Sequence, residues 1–127
     1  MTKIRAYYAH SMKIYDTPQE KAELKFLRKE YDVICPNNDI GSLHPFNKYL
    51  NIVRWSDILV ISVYEGHITA GVYAEAQHAL ELGKEVLFIE TINSSLRLTK
   101  VFSVDRIANE RDYKNDKYAY ITPKEWR

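Results

Sequence analysis

The run Ile58-Leu59-Val60-Ile61-Ser62-Val63 constrains this chain more than any other segment. Its nearly unbroken apolar character reads as a strand buried on both faces, the kind found in parallel sheets. After it come Glu65-Gly66-His67-Ile68 and then a pattern that predicts a helix from Thr69 to Leu82, with Gly83 as a left-handed stop. In open α/β sheets, ligands collect at the carboxyl ends of strands, where loops meet helix N-termini. Glu75 sits early in this helix, so the segment is the candidate active site and Glu75 its candidate carboxylate.

The rest of the chain repeats the pattern. Ile4 to Ala9 reads as a first strand, and Thr17-Pro18-Gln19-Glu20 as a helix start. Thr17 is the N-cap there, Pro18 the first helical residue, and Glu20 closes a capping box. Leu24, Leu27 and Tyr31 recur at helical spacing, which lays one face of this helix on a sheet. Tyr31 to Pro36 gives a second short strand, and Asn37-Asn38-Asp39 a turn. A second helix is predicted from Pro45 to Trp55 and a fourth strand from Glu85 to Ile89. Beyond that, Val101 to Ile107 and Tyr118 to Ile121 read as strands, and Asn109 to Lys117 as a polar loop. Alternating strands and helices with short loops predict an α/β fold, a mostly parallel sheet of about five strands covered on both faces.

At 127 residues the chain makes one domain. Its net charge of +1, without blocks of like charge, argues against nucleic acid as a partner. The one cysteine, Cys35, lies in an apolar run and is expected to pack as a small apolar residue. It can form no internal disulfide, which fits a reducing compartment. No segment approaches a membrane span. Together these features predict a soluble, cytoplasmic protein with no membrane partner.

Glu75 shares a helix face with Val72, Ala79 and Leu82, so it is expected to approach the sheet. Burial would raise its pKa and the helix N-terminus would lower it, a competition common at working carboxylates. Gly71, at a site where glycine costs about 1 kcal/mol relative to alanine, leaves room for a ligand or for close helix–sheet packing. On the first strand, alternation puts Tyr7 and Ala9 on one face, Tyr8 and His10 on the other. A tyrosine near the end of this strand is within reach of Glu75, and Ser11 and Lys13 of a phosphate or a sugar hydroxyl. The residues alone, however, read Tyr7 and Tyr8 as core aromatics and Lys13 as a solvated charge. No Walker or dinucleotide glycine pattern is present. His10, His44, His67 and His78 show no metal-ligand spacing, so neither a metal site nor a cofactor is expected.

Three pieces of the sequence resemble the nucleoside 2-deoxyribosyltransferase superfamily, which includes nucleoside-monophosphate N-glycosidases. They are Ile4-Arg5-Ala6-Tyr7-Tyr8-Ala9-His10-Ser11, Trp55-Ser56-Asp57-Ile58-Leu59-Val60, and Gly71-Val72-Tyr73-Ala74-Glu75 continuing to Gly83-Lys84-Glu85-Val86. Together they span residues 4–90, in the family's order. The resemblance implies a flavodoxin-like (Rossmannoid) three-layer sandwich and a small-molecule nucleoside or nucleotide substrate. It further implies that Glu75 attacks the sugar C1′, with Tyr7 orienting it, and that water or a second base resolves the glycosyl ester. His10, Ser11, Glu65, His67, Thr69 and Gly71 would line the substrate site, with a 5′ group at the helix start. A homodimer or larger homo-oligomer is also implied.

Two departures stand out. His10 replaces a glycine usual in the family, and the family's acidic residue before the glycine motif is missing, with Glu65 or His67 as the available substitute. Two other readings use the same glutamate. One is a TIR-like NAD glycohydrolase, and the other a non-catalytic nucleotide- or ADP-ribose-binding module.

Overall fold

The computed structural model describes residues 3–40, 46–63, 68–102 and 120–121. In chain order the elements begin with β1 (Ile4–Ala9), a 3-10 turn (Met12–Ile14), α1 (Pro18–Leu27) and β2 (Tyr31–Ile34). Then come α2 (Pro36–Asp39), α3 (Phe46–Trp55), β3 (Ile58–Ile61), β4 (Ile68–Thr69) and α4 (Ala70–Glu81). β5 (Glu85–Ile92), β6 (Ser95–Val101) and β7 (Tyr120–Ile121) complete the chain.

Five strands form one sheet in the order β2-β1-β3-β5-β6. The first four are parallel, and β6 returns antiparallel to β5. The expected α/β class and mostly parallel five-strand sheet are therefore present. β1 lies between β2 and β3, so the chain leaves it first to one side and later to the other. Such reversals are where open α/β sheets leave a crevice at the strands' carboxyl ends.

Strand alternation sends successive residues to opposite sides and makes two buried clusters. On one side Tyr7, Ala9, Leu59, Ile61, Val86 and Phe88 pack with Val53 of α3 and with Val72, Ala76 and Ala79 of α4. On the other, Ala6, Tyr8, Ile58, Val60, Leu87 and Ile89 pack with Leu24 and Leu27 of α1. The predicted helix face holds for Val72, Glu75 and Ala79, but Leu82 is exposed because the helix ends before it.

The stop itself follows backbone chemistry. Gly83 adopts φ 74°, its N–H donates to Leu80 O, and Lys84 N–H donates to Ala79 O. These two bonds satisfy carbonyls that a helix end leaves orphaned.

Three boundaries differ from the sequence reading. The turn at residues 36–39 closes as one helical turn, because Pro36 is preset for a first helical position and Ile40 N–H reaches Pro36 O at 3.0 Å. β5 runs on to Ile92, and β6 occupies Ser95–Val101, ending where a strand from Val101 to Ile107 was expected to begin. The cause is a two-residue hairpin: Asn93 and Ser94 take φ 50° and 66°, the left-handed pair that matches strand twist. Without a glycine, Asn-Ser is a weak signal for such a turn. The third is β4, a short strand just before α4 that pairs antiparallel with β7, the latter inside the strand expected over Tyr118 to Ile121.

Residues 103–119, which include the expected loop over 109–117, lie outside the described residues, as do His44 and Pro45. Among the described residues no helix is long and apolar enough to cross a membrane.

Candidate active site

Tyr7 lies in the middle of β1 and points to the side covered by α3 and α4. Its register partners are Ile34 of β2 and Leu59 of β3, so it stands on an interior strand. Glu75 is the sixth residue of α4 and 8% exposed. Its neighbours on the helix, Val72, Ala76 and Ala79, are small enough to let α4 lie close to the sheet. The Tyr7 hydroxyl donates to Glu75 Oε2. Among the described residues Tyr7 is the one donor bonded to this carboxylate, and it anchors Oε2.

Burial pushes the Glu75 carboxyl up to about 7, and the Tyr7 hydrogen bond opposes that rise. The lowering influence is thus a phenol on the sheet, whereas the sequence pointed to the helix N-terminus. Tyr7 itself is held far above the usual phenol range by burial and by the charge of Glu75, so it remains a donor. Tyr15, half-buried after the 3-10 turn, is pushed up to about 12, first by burial and then by the charge of Glu75. Tyr15 therefore lies within electrostatic reach of the carboxylate. Nothing in the sequence pattern marked it.

The other expected site residues divide. Thr69 caps α4, with Oγ1 accepting from Val72 N–H at 3.4 Å. Gly71 is the second residue of that helix and is partly exposed. Ser11 is buried and accepts from Lys13 N–H at 3.1 Å, so its oxygen supports the 3-10 turn. His10 points to the opposite side from Tyr7, as alternation predicts. Its ring stacks on Tyr8 with centroids 4.1 Å apart, and Nε2 lies 2.7 Å from Glu20 Oε2. This places it in a different cluster from Glu75. Glu65 and His67 lie outside the described residues.

Two further buried carboxylates escaped the sequence reading, Glu20 and Glu23 on α1. Glu20 was assigned to a capping box. Thr17 does cap α1, accepting from Glu20 N–H at 3.2 Å, but the Glu20 side chain turns inward. Its Oε1 accepts from Asp16 N–H at 3.2 Å and its Oε2 from Asn37 Nδ2 at 3.1 Å. Glu23 accepts from the Tyr8 and Ser62 hydroxyls at Oε1 and from Gln19 at Oε2. A helical pattern of apolar residues cannot show that a glutamate beside it faces a tyrosine.

Cys35 is buried as expected, and its thiol is pushed up to about 11 by burial and then by the charge of Glu20. That disfavours a nucleophilic thiolate. What the arrangement around Glu75 offers is an oriented carboxylate, mostly dry, that gains and loses its proton near neutrality. Such a group serves as a nucleophile, or as a general acid or base. Neither a family model nor a curated protein matches this chain.

Proposed function

We propose that this protein cleaves or transfers at the N-glycosidic bond of a nucleoside or nucleoside 5′-monophosphate, with Glu75 as nucleophile. The observation that carries the reading is the Tyr7–Glu75 hydrogen bond between an interior strand and a buried helix face. It fits a flavodoxin-like three-layer arrangement in which β1 sits at the reversal of strand order.

The chemistry follows from the two carboxylate oxygens. Tyr7 holds Oε2, which turns Oε1 towards a substrate carbon. Oε1 attacks C1′, the C1′–N bond breaks, and its electron pair leaves with the base, which takes up a proton. The transition state has oxocarbenium character, which an adjacent carboxylate stabilises. Water attacking the glycosyl ester then gives hydrolysis, and a second base gives transfer. Attack requires the ionised carboxylate, and Glu75 ionises near pH 7, so the rate climbs as pH rises through neutrality.

The deciding experiment follows free-base release chromatographically from deoxynucleosides, deoxynucleotides, ribonucleotides and NAD, with wild type and Glu75→Gln. Release by wild type alone is the expected result, and the panel then names the substrate. Release confined to nicotinamide from NAD assigns the glutamate to NAD cleavage. If neither protein releases any base, even with an acceptor base added, the enzymatic reading is wrong and a nucleotide-binding role replaces it.

A further inference from the structure

A second cluster of reactive groups lies where β1, α1 and β2 end or begin, on the opposite side of the sheet from Glu75. His10 follows β1, Glu20 is in the first turn of α1, and Cys35 follows β2. Their ligand-type atoms all lie within 4.8 Å of one another. The three residues are 7%, 3% and 0% exposed, respectively. We infer that His10, Glu20 and Cys35 form a binding site for one zinc-class divalent ion, held through Nε2, a carboxylate oxygen and the thiolate.

The donor set comes first. Imidazole, carboxylate and thiolate are the three side-chain types that bind zinc, and the mixture suits a borderline-soft ion better than magnesium or calcium. Spacing in the sequence hid the set, because its members come from three separate elements.

The hydrogen bonding around His10 is the second argument. Its Nδ1 lies 3.0 Å from Tyr8 O, and a carbonyl can only accept, so Nδ1 carries the hydrogen. Nε2 lies 2.7 Å from Glu20 Oε2, a separation that suits an imidazolium–carboxylate ion pair or a metal ion taking the place of the Nε2 proton. Two acceptors that close need a proton or a cation between them. A backbone carbonyl on the far ring nitrogen is also the outer-shell contact usual for metal-bound histidines.

Pre-organisation is the third. The His10 ring is clamped between Tyr8 and Tyr15, with centroids 4.1 and 5.0 Å away. Asp16 N–H and Asn37 Nδ2 hold the two oxygens of Glu20. Cys35 Sγ has Asn37 Oδ1 at 3.1 Å and Asn38 Nδ2 at 3.5 Å. Tetrahedral zinc, with bonds of about 2.0–2.3 Å, spaces its donor atoms roughly 3.3–3.8 Å apart. Binding requires the 2.7 Å separation of His10 and Glu20 to widen to that value. On binding, the S–H bond of Cys35 gives way to an S–metal bond and its proton passes to solvent.

The test titrates Co2+ into the full chain after stripping with a chelator. The expected result is a thiolate-to-cobalt charge-transfer band that saturates at one equivalent and is displaced by Zn2+. Cys35→Ala, which keeps a small apolar side chain in the core, abolishes the band, and His10→Gln weakens binding at least roughly tenfold. Absence of a saturable band in the wild type overturns the inference, and that readout does not depend on any variant folding. A band that survives in folded Cys35→Ala, or weak uptake of several equivalents without the band, overturns it as well. Base release plays no part in this test, so the site stands or falls apart from the role of Glu75.

Discussion

Tyr7 and Tyr8 are adjacent on β1, and each donates its hydroxyl to a buried glutamate on a helix. The two pairs face opposite sides of the sheet, and their surroundings differ. Glu23, the partner of Tyr8, is wrapped by hydroxyls from Tyr8 and Ser62 and by the Gln19 amide, with donors on both of its oxygens. Glu75, the partner of Tyr7, has that one phenol among the described residues, and burial pushes it up to about 7. A carboxylate with donors on both oxygens is stabilised where it is and has little left to offer a substrate. A carboxylate held by one oxygen and short of donors is costly to keep charged, which makes it reactive. Near-identical pairs thus lie in a well-bonded polar core on one side and, among the described residues, in a donor-poor setting on the other.

Mutating the two glutamates in parallel is the sharpest way to break this contrast. Glu75→Gln is expected to lower base release by on the order of a thousandfold or more while the circular dichroism spectrum is unchanged. Glu23→Gln in the same assay should stay within about tenfold of wild type wherever it folds. Equal losses in two well-folded variants would erase the distinction.

Stability should show the reverse ranking. Glu23→Ala strands the Tyr8 and Ser62 hydroxyls and the Gln19 amide in the core, and is expected to cost about 3 kcal/mol in urea unfolding. Glu75→Ala strands a single phenol and relieves a buried charge at alkaline pH, so its cost at pH 8 should be clearly smaller.

The pH dependence of stability isolates Glu75. Its carboxyl is raised from 4.5 in the unfolded chain to about 7 in the folded one. The folded state therefore holds more protons between these values, and stability contributed below the lower one is lost as pH rises through the upper. In Glu75→Gln this loss is absent, so the variant should gain on wild type by about 3 kcal/mol between acid and pH 8. Parallel stability profiles for the two proteins would mean that Glu75 is not buried as described.

The smallest expected effect is that of Tyr7→Phe. Removing the one donor that lowers Glu75 moves its ionisation upward from about 7. The acid limb of the rate profile should shift to higher pH, with a loss of roughly tenfold at neutrality. An unmoved limb would assign Tyr7 to packing alone.

Much of the fold was legible because it rests on local chemistry. The run from Ile58, the Thr17-Pro18 helix start and the Gly83 stop each carry their conformation in a few residues. The turn at Asn93 and Ser94 was missed because both residues adopt a left-handed conformation without the glycine that usually announces it. In the site, helix spacing turned Glu75 towards the sheet and strand parity put Tyr7 and Tyr8 on opposite faces, since both periods are properties of the backbone. The choice of Tyr7 as partner rested on the family resemblance. The surroundings of Tyr15, Glu20 and Glu23 were not legible, because nothing within several residues of them shows what they face.

By itself the sequence determined which segments become strands and helices, which strand face Tyr7 and Tyr8 each take, and that Glu75 follows a buried strand. Those are consequences of backbone periodicity, caps and turn residues, all of which act over a few positions. Only the tertiary structure decided which buried glutamate has donors on both oxygens and which, among the described residues, has a single phenol. It alone also gathered His10, Glu20 and Cys35 from three elements. Desolvation and hydrogen-bond supply depend on neighbours tens of residues away along the chain, and packing is what sets those neighbours.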